Sequence, residues 1–184
     1  MKKLTIIAAA FSMLALNSCS KEEDPTPPQS TAEYNGTSYV LAKGGIVTDA
    51  AVNSEAYVKE FKLSDTAVTF ENHTSQSLQG NILVEITFID AGDATFDDGT
   101  YETPAGLIGV GSSYARVYLT IDNNEDGKID SNDTRMSALP GGSVSIITTG
   151  ENTYSLEFDA SFDNSNTITG KYEGEVTYIE TAVR

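Results

Sequence analysis

Residues 152–162 read NTYSLEFDASF. Tyr154, Leu156, Phe158, Ala160 and Phe162 fall on one side of an extended chain, and Ser155, Glu157, Asp159 and Ser161 fall on the other. Successive side chains of a strand point to opposite faces, so a period of two puts the first set into a core and the second into water. A helix would scatter both sets around its axis. The pattern recurs in SYARVYLTI, residues 113–121, where Ala115, Val117, Leu119 and Ile121 oppose Tyr114, Arg116, Tyr118 and Thr120. NILVEITFID, residues 81–90, aligns Ile82, Val84, Ile86 and Phe88, while Leu83 and Ile89 put apolar bulk on the second face as well. That predicts partial burial of both faces. Weaker alternating runs are TSYVLAK, EAYVKEFKLS, TAVTFEN, GSVSIITT and TITGKYEGEVTYIE.

Gly, Asp and Asn separate these runs, as turns require. Beyond the first residues no window carries an apolar stripe of helical period over three turns, and residues 130–137 offer a single turn at most. The expectation is an all-β domain: an antiparallel β-sandwich of about 8–10 strands, with a closed or partly open lipocalin-like β-barrel as the alternative. Uneven strand lengths favour the sandwich, and so do Gly-rich connections at 104–113 and 139–143, read as loops crossing between sheets. In the last run, Gly170 and Gly174 leave room for a neighbouring aromatic ring or a bulge.

The chain opens MKK and continues LTIIAAAFSMLAL, a positive segment before an apolar one of secretory type. Leu16-Asn17-Ser18-Cys19 follows. It resembles a bacterial lipobox, with a branched residue three before the cysteine and a small one directly before it. That resemblance implies cleavage before Cys19 and a lipid on its sulfur. Cys19 is the only cysteine, so no internal disulfide forms. Behind it stands Ser20-Lys21-Glu22-Glu23-Asp24, and then the Pro-rich PTPPQST. The acidic run resembles the export signal of surface lipoproteins of the Bacteroidota type, which implies the outer leaflet of the outer membrane. The Pro-rich part reads as a semi-rigid spacer. The expected organisation is a signal peptide at 1–18, the lipidated cysteine and linker at 19–31, and one all-β domain at 32–184. The ends of that domain, YNGTSYVLAKGG and ITGKYEGEVTYIE, resemble small lipoproteins of the same surface class in their Gly and Tyr placement.

The 184 residues hold 11 basic and 27 acidic side chains, a formal charge of −16. Loss of residues 1–18 removes Lys2 and Lys3 and no acid, so the remaining chain is more acidic still. Nucleic acid is excluded as a partner, because phosphate binding needs a basic patch. An anionic membrane surface repels such a domain, so attachment rests on the lipid. Excess carboxylates do supply oxygen ligands to cations.

They are densest at residues 122–133, DNNEDGKIDSND. This stretch resembles the calcium loop of EF-hand and dockerin-like sites over twelve positions. Asp122, Asn124 and Asp126 stand at positions 1, 3 and 5, Gly127 at 6, Lys128 at 7, Ile129 at 8, Asp130 at 9 and Asp133 at 12. Alternate side chains converge as the chain curls, position 6 needs a positive φ, and position 7 offers its carbonyl. The apolar residue at 8 anchors the loop in the core. Two departures stand out: position 12 is Asp rather than Glu, and a strand precedes the loop where an EF-hand has a helix. The competing reading is a hairpin, with Asp126-Gly127 as a type I′ turn joining YLTID to KIDS. That reading leaves the oxygen side chains at 122, 124, 130 and 133 unexplained. Five mutually repelling carboxylates in the loop call for a cation, and a structural Ca2+ is favoured over magnesium, which resists dehydration and prefers strict octahedra, and over zinc, which has no His or Cys nearby.

Other chemistry is sparse. His73 is the only histidine, and Ser75 and Ser77 lie too close in sequence to imply a triad. Asp90, Asp93, Asp97 and Asp98 form a second acidic stretch, with spacing unlike a calcium loop and a turn at Asp98-Gly99. Tyr114, Arg116 and Tyr118 make a possible ligand strip on the outer face of their strand, or ordinary cross-strand contacts. Nine tyrosines and no tryptophan speak mildly against a sugar-stacking platform. The expected function is non-enzymatic: a lipid-anchored surface module for binding or structure, with a glycan, lipid or surface protein as ligand. The alternatives are a barrel binding a small apolar ligand, marked by a large apolar cavity, and a small glycan hydrolase, marked by two carboxylates facing across a groove.

Overall fold

The computed structural model describes residues 29–69, 71–72, 77–92, 94–104 and 111–179. Residues 1–28, which carry the signal and lipid expectations and Cys19, lie outside that set, as do His73, Ser75 and Asp93. The described chain is almost wholly β. Its first strands are β1 (Thr31–Tyr34), β2 (Thr37–Val40), β3 (Lys43–Asn53), β4 (Ala56–Ser64) and β5 (Leu78–Gln79). Next come β6 (Ile82–Ala91), β7 (Gly99–Glu102), β8 (Tyr114–Ile121) and β9 (Lys128–Ile129). The last are β10 (Arg135–Ser137), β11 (Ser143–Gly150), β12 (Thr153–Ser161) and β13 (Thr167–Tyr178). Asp163–Ser165 form a short 3-10 turn between β12 and β13.

Hydrogen bonding runs β10-β8-β6-β4-β3-β13-β12-β11-β7, with the β1–β2 hairpin also on β13. The path folds into two layers at β13. Thr167–Glu175 pair with β12, whereas Val176–Tyr178 run parallel to Gly44–Ile46 of β3. On the same edge of β13, Ile168–Lys171 pair with β1. One layer is therefore β10, β8, β6, β4 and β3, and the other is β1, β2, β13, β12, β11 and β7. The layers meet face to face: Phe61 of β4 touches Tyr154 of β12 edge-on, ring centroids 5.1 Å apart, and Phe88 of β6 meets Tyr101 of β7 at 5.1 Å.

The alternating sets fill the space between. Ile82, Val84, Ile86 and Phe88 are buried, as are Ala115, Val117, Leu119 and Ile121, and Tyr154, Leu156, Phe158, Ala160 and Phe162. This is the all-β sandwich expected, and the two edges β10 and β7 do not pair to close a barrel. Gly170 lies opposite Phe158, whose ring fills the space a Cβ would need, so this glycine does make room for an aromatic neighbour. At the corner, a Cβ on Gly44 would come within 2.7 Å of the Tyr172 hydroxyl and 2.8 Å of Val176.

Several details differ from expectation. There are thirteen strands among the described residues, some only two to four residues long, and the β13–β3 pair is parallel. TAVTFEN is not a strand in its described part. Asn72 accepts from the Thr69 amide at 2.7 Å and donates to the Ala67 carbonyl at 3.0 Å, so local side-chain bonds curl the backbone. Residues 130–137 do make the single turn allowed for them, the Asp133 amide bonding the Asp130 carbonyl at 3.1 Å, and then enter β10. The 138–142 connection does cross between sheets: the Ala138 amide bonds Val117 of one layer and the Leu139 amide bonds Ser161 of the other. Thr31, at the end of the expected linker, is already in the sheet, and the Ser30 hydroxyl accepts from the Glu173 amide at 2.8 Å.

Candidate functional site: the acidic loop

The loop leaves β8 at Ile121, which is buried, and the Asp122 amide bonds the Asn81 carbonyl at 3.1 Å. The chain then curls on its own side chains. Asp122 accepts from the Asp126 amide at 3.3 Å through Oδ1 and from the Gly127 amide at 2.7 Å through Oδ2. Asn124 Oδ1 also accepts from the Asp126 amide, at 3.1 Å, and Asp126 Oδ1 accepts from the Lys128 amide at 3.0 Å. Gly127 has φ +77°, the conformation expected of its position. Asp133 closes the loop, taking the Asn123 amide at 2.9 Å and the Asp130 amide at 3.0 Å. The side chains at positions 1, 3, 5 and 12 thus share one small arc of backbone.

The hairpin is not formed. A type I′ turn needs positive φ at both central residues. Among the described residues the positive values here belong to Glu125 and Gly127, not Asp126. β9 turns away from β8 and pairs with β5, Leu78 opposite Ile129 and Gln79 opposite Lys128. The Gly80 amide adds a bond to the Gly127 carbonyl at 3.0 Å. Ile129 is buried with Val47, Val68, Leu78 and Ile179 in a small second core, so position 8 does anchor the loop.

Among the described residues no three or more His, Cys, Asp or Glu side chains gather around one point. The donor set at 122–133 is carboxylate, amide and carbonyl oxygen without nitrogen or sulfur, the chemistry of a hard cation. No described lysine or arginine forms an ion pair with any loop carboxylate.

The second acidic stretch is engaged elsewhere. Asp90 accepts from the Tyr101 hydroxyl at 3.0 Å, the Asp97 amide at 2.8 Å and the Ser113 hydroxyl at 2.8 Å. Asp98 accepts from the Thr148 amide at 2.8 Å and its hydroxyl at 2.9 Å. Burial, and then the bond to Asp90, push the Tyr101 phenol above its ordinary range. The expected strip on β8 is divided. Arg116 lies over the Tyr114 ring at 5.4 Å, while Tyr118 is covered by the Arg135 guanidinium at 3.6 Å.

Two charged clusters were not foreseen. Lys59, on the inward face of β4, sits between the rings of Phe96 at 4.6 Å and Tyr154 at 5.0 Å, with Asp49 at 3.5 Å. Asp49 also accepts from the hydroxyls of Tyr57 and Tyr178, both at 2.7 Å. Burial, reinforced by that bond, pushes the Tyr57 phenol up to about 12. The alternation Tyr57, Lys59, Phe61, Leu63 was a signal that Lys59 points inward. The second cluster is Glu85, which accepts from Lys62 at 2.6 Å and from Arg135 at 2.5 Å. Burial alone would raise its pKa, but Arg135 and Lys62 together outweigh it and hold the carboxyl below its ordinary value. Three strands meet there, and no local motif could have announced it. No described helix is long and apolar enough to cross a membrane. Comparison with protein-family models, with curated proteins and with solved structures finds no match for the chain.

Proposed function

We propose that the chain is a lipid-anchored, surface-exposed outer-membrane protein. Its sandwich serves as a non-enzymatic binding or structural module in which Ca2+ orders the loop at 122–133. The ion takes side-chain oxygens of Asp122, Asn124, Asp126, Asp130 and Asp133 and the carbonyl of Lys128. Its role is structural: it neutralises carboxylates that repel one another and fixes a long connection between β8 and β10. The observation that carries this reading is the curl of the loop on Asp122, with Gly127 at φ +77°, in place of a hairpin. The tether rests on the lipobox and the acidic run behind Cys19.

Thermal melting tests the ion. Excess calcium is expected to raise the melting temperature over that in chelator, and Asp126→Ala to abolish the difference. Equal melting in both conditions for the unsubstituted protein sinks the proposal. Radiolabelled palmitate fed to expressing cells tests the tether: label is expected on the chain and lost in Cys19→Ala.

A further inference from the structure

β10 closes one side of the seam between the layers with little to hold it. It pairs with β8 over three residues, and its other edge is open among the described residues. Met136 stands at its centre, opposite Leu119, half-buried and packed against the main core. Across the seam the Tyr34 hydroxyl of β1 donates to Met136 Sδ at 3.4 Å. The Tyr34 ring meets Phe162 edge-on, centroids 6.4 Å apart, which fixes the side from which the hydroxyl arrives. Met136 is the only methionine among the described residues, the other two being Met1 and Met13, and those residues include no cysteine.

A half-buried thioether at an open edge is within reach of a small oxidant such as hydrogen peroxide. The O–O bond breaks and an S–O bond forms. Sulfur gives up a lone pair and is oxidised, while the leaving oxygen takes the proton of the transferred one and departs as water. Which lone pair reacts sets the handedness of the sulfoxide, because its sulfur is a stereocentre. Here one lone pair is held by the Tyr34 hydroxyl, so the oxygen enters on the other. We propose that Met136 is a site of sulfoxidation by peroxides, and that Tyr34 restricts the product to one epimer. That product is polar where a flexible apolar side chain stood. Three residue pairs give β10 little to resist the change, and Arg135 beside it carries one of the two bonds to Glu85. Oxidation therefore loosens β10. The inference stands apart from the calcium and tether readings.

The test oxidises the full chain, purified in a mild detergent, with dilute hydrogen peroxide and then digests it with trypsin. Cleavage after Arg135 puts Met136 at the head of a peptide ending at Lys171, so the added oxygen is located by mass. The two classes of methionine sulfoxide reductase each accept one epimer. Applied to that peptide, one class is expected to remove nearly all the oxygen and the other almost none. A chain oxidised in urea should give roughly equal shares to both. Tyr34→Phe should oxidise about fivefold faster, since no hydroxyl holds the sulfur, and should give both epimers. Oxidation should lower the melting temperature of the unsubstituted chain by several degrees and leave that of Met136→Leu unchanged. Equal epimers from the folded chain overturn the proposal without recourse to any variant. So does a Met136 that stays unoxidised in the folded chain while the unfolded one reacts, a Tyr34→Phe protein with unchanged rate and epimer, or an equal loss of melting temperature in Met136→Leu.

Discussion

The two acidic stretches have similar composition and opposite settings. Around Asp90 and Asp98, donors come from other elements, Tyr101 of β7, Ser113 before β8 and Thr148 of β11, beside the local amide of Asp97. Those carboxylates act as brackets between strands, and the fold itself answers them. At 122–133 the donors are the loop's own amides, and among the described residues no side-chain cation pairs with a loop carboxylate. Amide bonds fix the direction of a carboxylate but do not cancel its charge against four others nearby. Glu85 completes the series, since it is met by two full positive charges. What an acid lacks in its surroundings, more than its density in sequence, is the ground on which we propose an ion at 122–133.

The sharpest way to break this contrast is to supply or withhold calcium. At free calcium a hundredfold above Kd the expected stabilisation is about 2.7 kcal/mol, or about 5–10 °C in melting temperature for a domain of this size. Asp126→Ala should lose it, and Asp98→Asn should keep it whole. Asp90→Ala should cost about 1–3 kcal/mol with calcium and with chelator alike, because it strands the Ser113 and Asp97 donors. A calcium-dependent cost there would erase the distinction between the two stretches.

Glu85 adds a pH arm. Its carboxyl is held below the ordinary value, so its contribution is complete above the unfolded pKa of about 4.3 and lost as pH falls through the folded one. Glu85→Gln should flatten the acid side of a stability profile measured by denaturant melts. The smallest effect lies at Asp49. Tyr57, raised to about 12, contributes stability that is complete below the ordinary phenol value of about 10 and lost as pH rises through 12. Asp49→Asn should move part of the ultraviolet phenolate titration to lower pH, and only part, because burial is the larger cause.

Strands β6, β8 and β12 were legible because one buried face and one wet face write themselves as period two. β3 was not, because Gly44, Gly45, Ile46 and Val47 are buried in succession and show no alternation. TAVTFEN alternates well enough, yet Asn72 offers its backbone a nearer partner than any strand. In the loop, the twelve-position spacing was readable. The β5–β9 bridge that holds the loop open was not, because two residues pair with two others far away in sequence. The triad at Glu85 is invisible for the same reason: its members meet only once β4, β6, β8 and β10 have paired.

The corner at β13 has a kinetic consequence. This one strand holds β12 on one edge and both β1 and β3 on the other, and Ser30 bonds Glu173 across 143 residues. The two layers therefore cannot be joined until nearly the whole described chain is available. Early pieces can form hairpins, such as the Asn35-Gly36 turn between β1 and β2 or the β3–β4 pair, but those two hairpins belong to opposite layers and are hydrogen-bonded together only through β13. High contact order of this kind slows folding. A chain arriving amino end first would stay open and pliable along its length, and would shut in one late step when Thr167–Tyr178 arrives.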